Sequence, residues 1–126
     1  MAAMLEHVNV TVSDLERSVA LVQDLFGWRV RWRGGAIHGG ETAHVGDEGT
    51  YVALYQHARQ VGQPVDNYTT TGGLNHIGVV VDDLDAVEAK VKAAGLMPHS
   101  HADYEPGRRF YFNDHDGTEW EVVSYS

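Results

Sequence analysis

The sequence predicts an α+β fold of two tandem βαβββ modules whose strands form curved mixed sheets. Three observations carry this: one phrase written twice, a capped helix closed by glycine in each half, and three strand-like stretches after each helix. The phrase is "LEHVNVTVSDLERS" at 5–18 and "LNHIGVVVDDLDAV" at 74–87. A single shift of 69 residues superposes His7 on His76, Val10 on Val79, Val12 on Val81, Asp14 on Asp83 and Leu15 on Leu84. Agreement at so many positions marks an internal repeat.

In the first half, residues 5–12 alternate and are rich in Val and Thr, as a half-buried strand requires. Ser13-Asp14-Leu15-Glu16 has the spacing of a capping box, which predicts a helix from there to about Phe26. Gly27 is the expected stop. "WRVRWR" (28–33), "ETAHVG" (41–46) and "TYVALYQ" (50–56) follow as strands. In the second half residues 74–81 form the strand, Asp82 is the N-cap with Asp85 three residues on, and the helix runs to Ala94 with Gly95 after it. The strands then fall near 97–101, at "RRFYFN" (108–113) and at "TEWEVVSY" (118–125). Gly34, Gly35, Gly39 and Gly40 punctuate one turn, and "DEG" (47–49) and "DHDG" (114–117) are hairpin turns. Residues 58–73, with Pro64 and no clear period, read as a linker between a first module at 4–57 and a second at 74–126. At 126 residues and 43% hydrophobic, the chain suits one domain built from two halves.

Composition excludes several functions. With 9 Lys+Arg against 18 Asp+Glu, the net charge of -9 repels polyanions, so neither nucleic acid nor an anionic membrane surface is an expected partner. There is no cysteine, no apolar run near membrane length and no charged-then-apolar start; a cytoplasmic protein without disulfides is expected. Eight histidines remain as ligands or acid/base groups.

Strand alternation says where two of them point. His7, Asn9 and Thr11 share one face, and Val8, Val10 and Val12 the other, which takes the helix. His76 and Gly78 oppose Ile77 and Val79 in the same way. Two neutral imidazoles at matching places in two related halves are a natural beginning for a metal site. A carboxylate within an apolar strand is costly unless it meets a cation; Glu121 fits that description, whereas Glu119, nearer the turn, reads as solvated. Matching Gly49-Thr50 to Gly117-Thr118 puts Ala53 opposite Glu121. His44, His57, His99 and His101 read as surface residues, and Arg29, Arg31 and Arg33 as one solvated strand face. Trp28, Trp32, Tyr51 and Tyr55 read as packing residues. Asn9, on the face of His7, and Tyr104, Arg108 and Arg109, near the "HSHADYEPGRR" segment at 99–109, are candidate substrate contacts.

The doubled openings, the glycine after each helix and the closing "FYFNDHDGTEWEVV" resemble the vicinal oxygen chelate superfamily over essentially the whole chain. That superfamily includes glyoxalase I, extradiol dioxygenases, fosfomycin-modifying enzymes and bleomycin resistance proteins. Its closing motif is usually D-P-D-G followed by an apolar-Glu-apolar triplet; here His115 takes the proline place and Trp120-Glu121-Val122 is the triplet. The resemblance implies that His7, His76 and Glu121 are metal ligands for a divalent ion such as Fe, Mn, Zn, Ni or Co. Ala53 occupies the place of the fourth ligand of glyoxalase I. Two histidines and one carboxylate leave about three octahedral positions for a chelating substrate and one further ligand. The implied function is a metal-dependent enzyme acting on vicinal oxygens of a small organic substrate, by lyase, isomerase or ring-cleaving chemistry. The alternatives are a non-catalytic binder of bleomycin-type antibiotics and a structural domain with a vestigial site. Two open sheets with unpaired edges gain by pairing with another copy, so a homodimer is expected; the site is built either within one chain or from His7 of one chain and His76 plus Glu121 of the other.

Overall fold

The computed structural model describes residues 2–59, 62–104 and 107–126. Gln60 and Val61 of the expected linker, and Glu105 and Pro106 of the 99–109 segment, lie outside the described residues. The chain divides into two compact units, one ending at Gly62 and one beginning at Gln63, a boundary that falls inside the expected linker.

The first unit runs β1 (His7–Thr11), α1 (Leu15–Phe26), β2 (Arg29–Gly35), a 3-10 turn (Ile37–Gly39), β3 (Glu41–Gly46) and β4 (Tyr51–Gln56). The sheet order is β1-β4-β3-β2, with β1 parallel to β4 and the other pairs antiparallel. The second unit repeats the plan with β5 (Ile77–Val80), α2 (Leu84–Ala93), β6 (His99–Tyr104), β7 (Gly107–Asn113) and β8 (Glu119–Ser124). Its order is β5-β8-β7-β6, again with one parallel pair, β5 with β8. The expected βαβββ modules and mixed sheets are therefore present.

Both helices begin one residue later than the sequence suggested. The N-caps are Asp14 and Asp83, whose carboxylates accept from the backbone N–H groups of Arg17 (3.1 Å) and Ala86 (3.0 Å). In α1 the Asp14 carboxylate takes the place of the Ser13 hydroxyl one residue earlier, and in α2 Asp83 takes the place of the neighbouring carboxylate Asp82. Ser13 instead accepts from the Arg17 side chain, and Glu16 pairs with Arg33. Helix α1 stops at Gly27, which takes φ 67°, the left-handed conformation that costs glycine little. Helix α2 stops at Ala93, and Gly95 at φ 82° turns the chain away, with Leu96 N–H reaching back to the Val91 carbonyl.

Each sheet has one face under its helix. In the first unit Leu15, Val19, Val22 and Leu25 are buried along with Val45, Val52 and Leu54 of the sheet. In the second, α2 packs on β7 and β8. Leu84, Val87 and Val91 are buried there with Phe110, Phe112, Trp120 and Val122, and the Phe112 and Trp120 rings stack at 6.3 Å. Each such side chain contributes about 1.5–3 kcal/mol by leaving water. The Trp120 Nε1–H is satisfied by Asp114 (3.1 Å), which also accepts from the backbone of Asp116 and Thr118 and so closes the "DHDG" turn.

The three arginines of β2 do not share one solvated face. The pairing of β2 with β3 shifts between Val30 and Trp32. Arg31 lies 4.6 Å from the Tyr51 ring centre, whereas Arg33 pairs with Glu16 of α1. A bulge of this kind changes which face the following side chains take.

Candidate functional site

Strand β8 alternates, so Trp120 and Val122 go to the helix side and Glu119, Glu121 and Val123 to the open face. On β7 the same parity puts Arg109, Tyr111 and Asn113 on the open face, with Tyr111 directly across from Glu121. Gly78 of β5 is the neighbour of Glu121 on its other side.

The Glu121 carboxylate is 13% exposed and meets two cationic or ionisable partners. Its Oε1 lies 3.0 Å from His76 Nε2, and its Oε2 accepts from Arg109 Nη1 at 2.8 Å. His76 precedes β5, one residue before the buried Ile77, and its Nδ1 sits 2.6 Å from the side-chain oxygen of Asn75. That contact places the Nδ1 proton toward Asn75 and turns Nε2 toward Glu121. The 3.0 Å contact then calls for a proton or another cation between nitrogen and carboxylate.

Around this pair stand two tyrosines. The Tyr111 ring is edge-on to His76, with centres 5.6 Å apart, and burial, followed by the Glu121 charge, raises the pKa of its hydroxyl. Tyr104 lies against the Arg109 guanidinium at 5.2 Å, a cation–π contact. Arg109 is only 15% exposed. Its Nε and Nη2 are buried and have no hydrogen-bond partner among the described residues.

Glu119 corrects the expectation of a solvated residue. It is 6% exposed, and the hydroxyl of Tyr68, from the linker, donates to it at 2.7 Å. Arg108 points elsewhere: it is exposed and pairs with Asp85 of α2 at 3.1 Å, so it is not brought to Glu121. The histidines expected at the surface are also engaged. His99 Nε2 lies 2.8 Å from the Asn113 side-chain oxygen, and His101 lies 2.8 Å from Glu88.

The first unit carries the counterpart face. Asn9 pairs in register with Ala53, and Ala53 with His44, the places that Gly78, Glu121 and Tyr111 hold in the second unit. His7 stacks on Tyr51 with centres 4.9 Å apart, and Tyr51 on His44 at 4.6 Å. His7 Nδ1 lies 2.9 Å from Glu6. Burial, then the charges of His7 and Arg31, lowers the pKa of His44. Asn9 is exposed.

Of the expected site residues, His76, Glu121, Arg109 and Tyr104 gather on one face of the second sheet, while His7 and Asn9 belong to the first unit. Among the described residues, no three His, Asp or Glu side chains form a group that could hold a metal. Tyr111 and Asn75 join this group without being among the expected site residues. Tyr111 was within reach, because the hairpin at 114–117 sets it opposite Glu121. No helix among the described residues is long and apolar enough to cross a membrane.

The sequence model of the Glyoxalase/Bleomycin resistance protein/Dioxygenase superfamily matches residues 4–122. Among solved structures, a glyoxylase/bleomycin resistance protein/dioxygenase domain from Frankia sp. EAN1pec superposes with a TM-score of 0.84 at 23% identity, over 100% of both chains. The fosfomycin resistance protein FosX from Listeria monocytogenes superposes with a TM-score of 0.75 at 19% identity, over 100% of this chain and 96% of that one. The same protein complexed with Mn(II) and sulfate gives 0.72 at 19% identity, over 100% of this chain and 95% of that one. At such identities the likeness is one of fold.

Proposed function

Because the chain belongs to the glyoxalase/bleomycin resistance protein/dioxygenase superfamily, we propose that it is a divalent-metal-dependent enzyme that chelates vicinal oxygens of a small organic substrate. The observation that carries this reading is the 3.0 Å approach of His76 Nε2 to Glu121 Oε1, on a carboxylate 13% exposed. Two cis ligands, each roughly 2.1 Å from one octahedral ion, stand about 3.0 Å apart, so the pair fits such an ion. The Mn(II) held by the FosX relative supports a divalent ion in this fold.

His76 and Glu121 would hold the ion, with Fe, Mn, Co, Ni and Zn all suited to such donors. When bound, it supplies Lewis acidity, drawing in both substrate oxygens and stabilising the negative charge that develops on them. Asn75 keeps the Nδ1 proton of His76 and so presents Nε2 as a donor, a supporting contact of the kind that orients metal-ligating histidines. Arg109 holds Oε2 of Glu121 and leaves Oε1 free to ligate. The Tyr111 hydroxyl, which hydrogen-bonds Glu121, helps hold that carboxylate in place beside the substrate. Tyr104 and Arg109 contact the substrate beside it, and Asn9 is assigned to it by its repeat position.

The third ligand in this reading is His7, by its equivalence to His76 in the repeat, supplied by a second copy of the chain in a homodimer. With Ala53 in the fourth place, this chain would supply no fourth side-chain ligand, which would leave room for a chelating substrate. Titration of metal-free protein with Mn(II), Co(II) and Zn(II) by calorimetry tests the reading. Glu121→Gln and His76→Ala should each weaken binding at least about tenfold, the order of loss seen when metal-site contacts are removed. Wild-type affinity in both variants would overturn it.

A further inference from the structure

The metal reading uses one nitrogen of Arg109 and leaves an edge of its guanidinium unexplained. Nη1 donates to Glu121 at 2.8 Å, while Nε and Nη2 are buried without an acceptor among the described residues. These two nitrogens are neighbours on one edge of the planar group, and their N–H bonds run parallel. That fork matches both oxygens of a carboxylate or phosphonate, geometry that lysine cannot reproduce. A buried donor left unpaired costs the full desolvation of that group, and a charged one costs most. Packing against Tyr104 at 5.2 Å steadies the guanidinium but offers its N–H groups no oxygen. Charge points the same way. Once Glu121 is shared with an ion, the positive charge of Arg109 is no longer cancelled, in a chain of net charge -9 that would otherwise repel anions.

We propose that the Nε/Nη2 edge of Arg109 binds a two-oxygen oxyanion of the substrate, which makes the substrate an organic acid bearing its acid group beside its chelating oxygens. The second half of this rests on the metal reading; the oxyanion site itself does not. Arg109 serves both roles at once, holding Glu121 through Nη1 and the acid group through the opposite edge. Arg108, exposed and engaged by Asp85, is the natural control.

The test is titration of metal-free, 15N-labelled protein with acetate and, separately, methylphosphonate, following the arginine Nε–H resonances by NMR. The Arg109 Nε–H signal should shift saturably with one or both probes, and the tighter probe distinguishes a carboxylic from a phosphonic acid. Arg109→Lys, which keeps the charge and loses the fork, should weaken binding at least about tenfold, while Arg108→Ala should leave it unchanged. No saturable shift at Arg109 in the wild type, equal binding by the Lys variant, or an equal loss in Arg108→Ala would each overturn the proposal. The wild-type shift needs no variant to fold. Failure of metal binding with the Nε–H shift intact removes the enzyme reading and leaves the oxyanion site; the reverse result removes only the oxyanion site.

Discussion

Ala53 and Glu121 hold the same register position in two four-stranded sheets: Ala53 pairs with Asn9 and His44, and Glu121 with Gly78 and Tyr111. Ala53 is 1% exposed, whereas Glu121 meets the Arg109 guanidinium at 2.8 Å. Ala53→Glu would bury a carboxylate with no arginine opposite it. Metal-free protein should lose about 2–4 kcal/mol of stability. If the face of His7 and Ala53 belongs to the metal site, Mn(II) should raise the Tm of this variant more than that of the wild type. Thermal melts with and without Mn(II) measure both effects, and a metal-independent loss counts against that placement.

The register that makes this comparison possible was legible because the repeat, the helix stops and the hairpin turns are local signals. Strand β3 was bounded to the residue by the turns on either side of it. Strand β5 begins three residues later than the alternation suggests, since its pairing starts where Ile77 meets Trp120 and nothing in 74–76 announces the lack of a partner. The caps moved by one residue because two adjacent polar side chains competed for the same N–H groups. Glu119 was misjudged for a different reason: Tyr68 comes from an aperiodic linker, which gives no signal of what it covers. The bulge in β2 was hidden likewise, being a property of the pairing and not of the strand.

The pair of Arg109 and Glu121 predicts strong non-additivity. Arg109→Met leaves a carboxylate that is 13% exposed with the His76 contact in place of two partners and should cost about 2–3 kcal/mol in urea unfolding. Glu121→Gln leaves an amide oxygen for the same N–H and should cost less, on the order of 1–2 kcal/mol. The double variant should recover part of the Arg109→Met loss, because the unpaired charge is gone. Simple additivity would mean that the two side chains do not act on each other in solution.

The proposal of a site shared between two copies predicts complementation. His7→Ala and Glu121→Gln homodimers should each bind metal poorly. In a mixed dimer, one site takes His7 from the Glu121→Gln chain and His76 with Glu121 from the His7→Ala chain, and is intact. The other site carries both defects. Mixing, unfolding and refolding the two variants at equal concentration should therefore restore metal binding to about a quarter of the sites, by random assortment. No recovery, or sedimentation as a monomer at micromolar concentration, would exclude a shared site.

The hydrogen bond from Tyr68 to Glu119 predicts a stability change at high pH. The bond to the carboxylate, with burial and the Glu119 charge behind it, pushes the Tyr68 hydroxyl up to about 12. The unfolded chain titrates near 10. A folded-state value raised in this way gives stability that is complete below pH 10 and is lost as the pH climbs from 10 toward 12. Tyr68→Phe removes the bond and leaves Glu119, 6% exposed, without its phenol. Because Tyr68 itself is 63% exposed, the substitution should destabilise neutral-pH protein by only about 0.5–1.5 kcal/mol, the lower range for a hydrogen bond to a charged group. It should also flatten the decline in stability between pH 10 and 12. Absorbance titration at 295 nm should lose its highest-pH tyrosine in the variant, with urea unfolding at pH 7 and pH 11 giving the two stabilities. An unchanged titration curve would mean that Tyr68 does not reach Glu119 in solution.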